Sequence, residues 1–146
     1  MKSASHILQS KTDTTVHRVS PSSSMYEAIT LMAEKNIGAL LVMDGDAISG
    51  IVSERDYARK VVLAGRSSRE TPVRDVMTSP VMYVAPTAST EECMALMTKN
   101  RLRHLPVLDN GKLVGLISIG DLVKDIISEQ SFMIEQLQHY IAGTPA

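Results

Sequence analysis

The sequence predicts an α+β fold built from two tandem β-α-β-β-α repeats. Three observations carry that expectation. Residues 16–62 align with 81–127 at an offset of 65 without a gap, with 13 identities over 47 positions. Each copy runs through the same order of patterns: a short alternating segment, a capped amphipathic stretch, two apolar runs joined by a tight turn, and a second helical stretch. Composition supplies the third. The 146 residues are 44% apolar and 21% charged, with one Phe, no Trp and nine Met, which suits an aliphatic core. A unit of about 50 residues buries too little surface to stand alone. Two copies are therefore expected to fold as a pair about a pseudo-twofold axis, sheets together and helices outside.

The elements follow in order. Val16-His17-Arg18-Val19 alternates as a short strand, which Pro21 ends. Ser24-x-x-Glu27 forms a capping box at the start of a helix over 24–36, and Ser89-x-x-Glu92 repeats it for 89–100. Ala28, Ile29, Leu31 and Met32 share one face of the first helix. Ala39-Leu40-Leu41-Val42-Met43 is a continuous apolar run, as in a buried strand. Asp44-Gly45-Asp46 and Asp109-Asn110-Gly111 are tight turns leading to returning strands at 48–52 and 113–117. Ser53 and Ser118 open second helices, 54–63 and 119 onward. The segment Ala64 to Pro72 is polar, basic and rich in breakers, and a short helical turn follows over Val73 to Met77. From Asp121 to Tyr140 the pattern is one longer helix. The expected organisation is a first repeat over 12–63, a linker over 64–76, a second repeat over 77–130 and a helical tail over 131–146.

The formal net charge of −1 argues against a nucleic-acid or membrane-surface binder. The scarcity of aromatics removes stacking platforms for single strands. A lone cysteine excludes an internal disulfide and a multi-cysteine zinc site. No apolar run approaches the ~18 residues of a membrane span, and Met1 to Lys11 lacks the apolar segment of a signal peptide. These features point to a soluble protein of the reducing cytoplasm. His6, His17, His104 and His139 show no metal-ligand spacing, so no metal is expected. Cys93 takes the place that Ala28 holds in the first copy, so it reads as a small core residue. Met25 and Met94 suit either a core or an interface.

The most informative feature is a duplicated strand-to-helix turn, Gly50-Ile51-Val52-Ser53-Glu54-Arg55-Asp56 and Gly115-Leu116-Ile117-Ser118-Ile119-Gly120-Asp121. One explanation is helix capping, since Ser is a favoured N-cap and a first-turn Asp complements the helix dipole. The other is ligand binding: a hydroxyl and free backbone N–H groups suit a phosphate, and the carboxylate can accept both hydroxyls of a ribose. Ser53 with Asp56 and Ser118 with Asp121 lack an activating base within the motif, so no enzymatic activity is expected.

In its motifs and their order the chain resembles the CBS domain pair, or Bateman module, over about residues 12–130. The resemblance rests on Asp75-Val76-Met77-Thr78, on the Val, Pro and Ser positions of 19–24 and 84–89, and on Arg101-Leu102-Arg103-His104-Leu105-Pro106-Val107-Leu108-Asp109. It also rests on the two Gly-x-x-Ser-x-x-Asp turns. It implies a regulatory module for adenosine-containing ligands: AMP, ADP or ATP, sometimes NAD(H) or S-adenosylmethionine. No cofactor is required. In such pairs one repeat's first strand and pre-β2 loop cradle adenine, while the other's Ser-x-x-Asp turn holds ribose and phosphate. Carried over, one cleft would use Val81, Met82, Leu102, Arg103 and His104 with Ser53, Arg55 and Asp56. The other would use Val16, His17, Ile37, Gly38 and Ala39 with Ser118 and Asp121.

The two copies differ at these positions. Arg55, Arg103 and His104 make the Asp56 cleft the phosphate-rich one, and the Asp121 cleft reads as less charged. The resemblance also implies a homodimer packed through helices, with 24–36, 54–63, 89–100 and 119–130 as candidates, and an effector protein that receives the signal. A ligand-independent dimerisation or interaction module is the alternative. Arg59, Lys60, Arg66, Arg69 and Arg74 form a basic cluster that reads as a solvated face, although Arg66, Ser67 and Ser68 could reach a longer ligand.

Overall fold

The computed structural model describes residues 2–11 and 15–141, with side chains to His139. The chain forms helix α1 (Ala4–Ser10), strand β1 (Arg18–Val19), helix α2 (Met25–Lys35), and strands β2 (Ala39–Asp44) and β3 (Ala47–Ser53). Helix α3 (Glu54–Tyr57) follows, and then α4 (Thr90–Asn100), β4 (His104–Asp109), β5 (Lys112–Ser118) and α5 (Ile119–Ile141). It divides into two compact units. One takes the N-terminal segment with Val84–Asp109 and Val114 onward, and the other takes Thr15–Tyr83 with Asn110–Leu113. The architecture is α+β, with two small sheets.

In the unit holding the first repeat, β2 is central. It pairs parallel to β1 and antiparallel to β3, with Leu40 opposite Val52 and Leu41 opposite Ile51. Ser24 caps α2 by accepting the Glu27 N–H at 3.1 Å. Met25, Ala28 and Met32 then face Leu40, Val42 and Val52 in the core. Met25 is thus a core residue. The helix ends at Asn36, whose left-handed φ of 54° suits a short polar side chain. After β3 only Glu54–Tyr57 is α-helical; Ala58–Val62 widens into a π-helical turn, where the pattern predicted one helix to 63. The wider turn still delivers Val61 into the core.

In the other unit the predicted first strand shrinks to a single parallel bridge between Val84 and Val107, leaving β4 and β5 as a two-stranded sheet. Cys93 and Met97 of α4 pack with Leu105, Val107, Ile117 and Leu122. Ser89 caps α4 as Ser24 caps α2. The hairpin turn places Asn110 and Gly111 at φ of 51° and 80°, as a two-residue turn with both central residues left-handed requires.

Helix α1 has no counterpart in the sequence pattern, yet it completes this core. Ala4 and Ile7 are fully buried in it. Its N–H groups bond to the segment before α4, with Ala4 N–H to Ala88 O at 2.8 Å. The first unit repeats the arrangement with residues 72–77: Val73 N–H bonds Ser23 O at 2.7 Å, and Val73 and Val76 join the core. Each repeat is therefore closed by the segment that precedes the other one. Two glycines record the crossings. A Cβ on Gly50 would lie 2.6 Å from Met77 Sδ and 2.9 Å from Thr78 O, and one on Gly115 would lie 2.6 Å from Leu8 Cδ2.

Candidate functional site

The duplicated turn has the same scaffold in both repeats. A strand ends, the Ser takes an extended backbone, and the Asp three residues on folds back to it. In the first repeat Ser53 N–H donates to Asp56 Oδ2 at 3.0 Å, Ser53 Oγ donates to the same oxygen at 3.1 Å, and Asp56 N–H donates to Ser53 Oγ at 3.1 Å. This is a reciprocal capping box. Lys60, one turn further on, lies 3.5 Å from Asp56 Oδ1 and donates to Val76 O at 3.0 Å. Arg55 is exposed beside it.

In the second repeat Ser118 N–H donates to Asp121 Oδ2 at 2.9 Å and Asp121 N–H to Ser118 Oγ at 3.1 Å. Here the neighbouring cation comes from far away in sequence. Lys11, just after α1, places Nζ 3.0 Å from Asp121 Oδ2 and 2.9 Å from Leu116 O. Burial would push the Asp121 carboxyl up, but the Ser118 N–H and the Lys11 ammonium outweigh it and hold the pKa below the usual carboxylate value. The second turn thus has a cation of its own: Gly120 carries no charge, and Lys11 supplies one. Lys11 escaped sequence reasoning because it lies outside the repeat. The buried Ile7 that anchors its helix is a signal visible only once α1 is known.

The pre-strand loops sit against these turns in equivalent ways. Gly38 O accepts the Glu54 N–H at 3.0 Å, and Arg103 O accepts the Ile119 N–H at 2.8 Å. So each loop adjoins the turn of its own repeat, where the resemblance implied a pairing with the turn of the other copy: Ile37, Gly38 and Ala39 adjoin Ser53–Asp56. In the second repeat, Leu102, Arg103 and His104 adjoin Ser118–Asp121. His17 O accepts the Leu41 N–H at 3.4 Å, and Val16 beside it is half-buried. Val81 is half-buried and Met82 exposed, and both fall with the unit of the first repeat. His104 opens β4, half-buried. Burial lowers its pKa; the nearby Asp121 opposes that shift, while Lys11 and Arg103 reinforce it. A neutral imidazole beside Asp121 can accept a hydrogen bond as well as donate one.

The basic cluster is largely engaged within its own unit. Arg66 Nη2 pairs with Asp75 Oδ2 at 3.0 Å, the Arg69 guanidinium stacks 3.8 Å over the Tyr26 ring, and Ser68 Oγ meets the Tyr57 hydroxyl at 2.8 Å. Arg59 and Arg74 are exposed. Cys93 is buried, and burial pushes its thiol pKa up, with Glu92 adding to the rise. Among the described residues no group of His, Cys, Asp or Glu is placed to hold a metal ion, and no helix is long and apolar enough to cross a membrane.

What the turns can do chemically follows from their oxygens. Each carboxylate spends Oδ2 on the cap. A carboxylate offers about four lone-pair sites, so capping and accepting ribose hydroxyls are compatible.

Known proteins share this arrangement. The CBS domain family model matches residues 10–63 and again 73–128. The chain is 39% identical over 125 residues to the mitochondrial CBS domain-containing protein CBSX3 of Arabidopsis thaliana, covering 82% of this chain and 61% of the relative. It thus spans about three fifths of that protein's length. A CBS-domain protein of Burkholderia ambifaria superimposes with a TM-score of 0.85 at 61% identity, over 88% of this chain and 96% of that one. CBSX2, solved in complex with AMP, superimposes with a TM-score of 0.72 at 25% identity, over 89% of this chain and 99% of that one. With two matched copies, the capped Ser-x-x-Asp turns and these likenesses, the chain belongs to the CBS domain family.

Proposed function

We propose that this chain is a non-enzymatic regulatory module of the cytoplasm that binds an adenosine-containing nucleotide. AMP, ADP and ATP are the leading ligands, with NAD(H) and S-adenosylmethionine as variants. The observation that carries the proposal is the pair of carboxylates, Asp56 and Asp121, each fixed by its own Ser N–H and left with oxygen capacity for a ribose. The AMP bound by CBSX2 supports the choice of ligand class. In the first repeat the proposed contacts are Ser53, Arg55 and Asp56 for ribose and phosphate, with Val16, His17, Ile37, Gly38 and Ala39 for adenine. In the second they are Ser118 and Asp121, with Leu102, Arg103 and His104. Lys11 adds a cation to the Asp121 turn, so both turns can attract phosphate. Apolar walls and backbone groups hold the base.

The module works as a homodimer and passes energy or redox state to a separate effector protein. It does so because ligand binds one arrangement of the protein more tightly than another. Its surface charge and scarce aromatics fit neither nucleic acid nor membrane as partner.

A thermal-shift panel with AMP, ADP, ATP, NAD, NADH and S-adenosylmethionine, and GTP as control, tests the proposal. A ligand at 100 times its Kd stabilises the fold by ~2.7 kcal/mol, a shift of several degrees. A flat panel on nucleotide-free protein overturns it in favour of a ligand-independent interaction module.

A further inference from the structure

Each Ser-x-x-Asp turn carries a lysine, and the two lysines are not equivalent in sequence. Lys60 stands one turn after Asp56, with Nζ 3.5 Å from Oδ1 and 3.0 Å from the Val76 carbonyl oxygen. At the offset of 65 that relates the repeats its counterpart is Asp125, so the second repeat has no lysine at that place. Lys11 fills the role from outside the repeat: its Nζ lies 3.0 Å from Asp121 Oδ2 and donates to Leu116 O at 2.9 Å. Two unrelated positions thus deliver an ammonium to the equivalent carboxylate and fix it on a backbone carbonyl. The helix cap does not require this. The Ser N–H and the helix dipole already stabilise a first-turn Asp.

Lys11 is also held in advance. Ile7 is buried one turn before it, and the Ala4 and Ser5 N–H groups bond the Ala88 and Pro86 carbonyls at 2.8 and 3.0 Å. At the other end of the same segment Lys2 pairs with the buried Asp125 at 3.3 Å. An ammonium donates three hydrogen bonds. Among the described residues Lys11 spends two, on Asp121 and Leu116, and its side chain is 25% exposed. One donor remains for a ligand. The charges that act on the half-buried His104 beside this turn are Asp121, Lys11 and Arg103, a net positive set that becomes neutral without Lys11.

We infer that Lys11 makes the Asp121 turn selective for an anionic ligand: the turn takes a nucleotide's phosphate in preference to an uncharged nucleoside or to the cationic sulfonium of S-adenosylmethionine. The inference rests on the nucleotide reading above and deepens it, by naming the ligand class of this turn and the side chain that selects it. The ammonium is in place before the ligand arrives, so a phosphate gains a charge-assisted hydrogen bond without ordering a free side chain. A sulfonium meets the same ammonium as a like charge.

Titration calorimetry with AMP, adenosine and S-adenosylmethionine tests the inference. An Asp56→Ala background leaves Asp121 as the ribose carboxylate, and Lys11→Met, Lys11→Arg and Lys2→Met are each added to it. In the background AMP is expected to bind more tightly than either other ligand. Lys11→Met is expected to weaken AMP at least about 10-fold, as the loss of a hydrogen bond to a charged group does, with adenosine unchanged and S-adenosylmethionine no weaker. Lys11→Arg is expected to keep most of the preference for AMP, and Lys2→Met, which removes the other ion pair of the segment, to keep all of it. Equal losses of AMP and adenosine in Lys11→Met make Lys11 a structural residue and overturn the inference, as does an unchanged preference. A background that binds no ligand while the unmodified protein binds AMP overturns it and leaves the nucleotide reading standing. An unmodified protein that binds none of the three overturns both.

Discussion

Replacing Lys11 by Met keeps most of the side-chain stem and removes its ammonium from Asp121 and from the Leu116 carbonyl. The two side chains are 25% and 22% exposed, between the surface and interior limits. Surface pairs contribute ~0–1 kcal/mol, whereas unpairing a buried charge costs ~3–5 kcal/mol. A loss of ~1–2 kcal/mol follows for Lys11→Met at pH 7. In a chain of this size that lowers Tm by roughly 2–8 °C. The deficit has a signature in acid. The folded pKa of Asp121 lies below its unfolded value, so the stabilisation is complete above the ordinary carboxylate pKa and is lost as pH falls through the depressed folded value. Urea unfolding of both proteins at pH 7 and near pH 3 is the assay. The gap in ΔG is expected to be smaller in acid, because a protonated Asp121 gains little from the cation. An equal gap at both pH values, or no gap at pH 7, refutes the assignment of Lys11 to Asp121.

Other substitutions probe separate links. Ile7→Ala is expected to cost ~2–4 kcal/mol, because Ile7 is buried in the second repeat's core although it precedes the first; chemical denaturation checks it. Gly50→Ala is expected to destabilise more than Gly115→Ala, by ~1–3 kcal/mol against less, because the new methyl meets the Thr78 carbonyl in one case and the flexible end of Leu8 in the other. Parallel thermal melts rank them. Arg101→Asn is expected to stabilise by a few tenths of a kcal/mol, since Arg101 holds a left-handed φ of 54° and Asn tolerates that region better. Partial burial lowers the pKa of His104, so its contribution to stability is full above its unfolded pKa of ~6.5 and falls as pH drops through the folded value. His104→Gln is expected to flatten the pH dependence below that point.

Much of the fold was legible because the two copies check each other. Ser24 and Ser89 cap equivalent helices, Gly50 and Gly115 mark equivalent close approaches, and Cys93 replaces Ala28 in equivalent cores. The paired Ser-x-x-Asp turns were legible for the same reason. What the sequence hid falls where the symmetry is interrupted. Helix α1 corresponds to residues 72–77, but it joins the second repeat's core across most of the chain, and a gap-free offset of 65 does not align the two segments. Lys11 rides on that helix, so the cation at Asp121 was invisible to local spacing. The π-helical turn at Ala58–Val62 has no composition signal, since the stretch is as good an α-helix former as its neighbours. The first strand of the second repeat shortened to one bridge because pattern alone cannot report how many ladder bonds form.

The ribose contact at Asp56 and Asp121 is the centre of the proposed function, and titration calorimetry with two ligands tests it directly. The ligands are the adenosine nucleotide selected by the thermal-shift panel and its 2′,3′-dideoxy counterpart, titrated into wild type and into the Asp56→Ala/Asp121→Ala double variant. Hydrogen bonds to a charged group contribute ~1.5–3 kcal/mol, so wild type is expected to prefer the ribose form by roughly 10- to 150-fold, and the double variant to show no preference. Equal affinity of wild type for the ribose and dideoxy forms would contradict the assignment and leave the two carboxylates as helix caps alone.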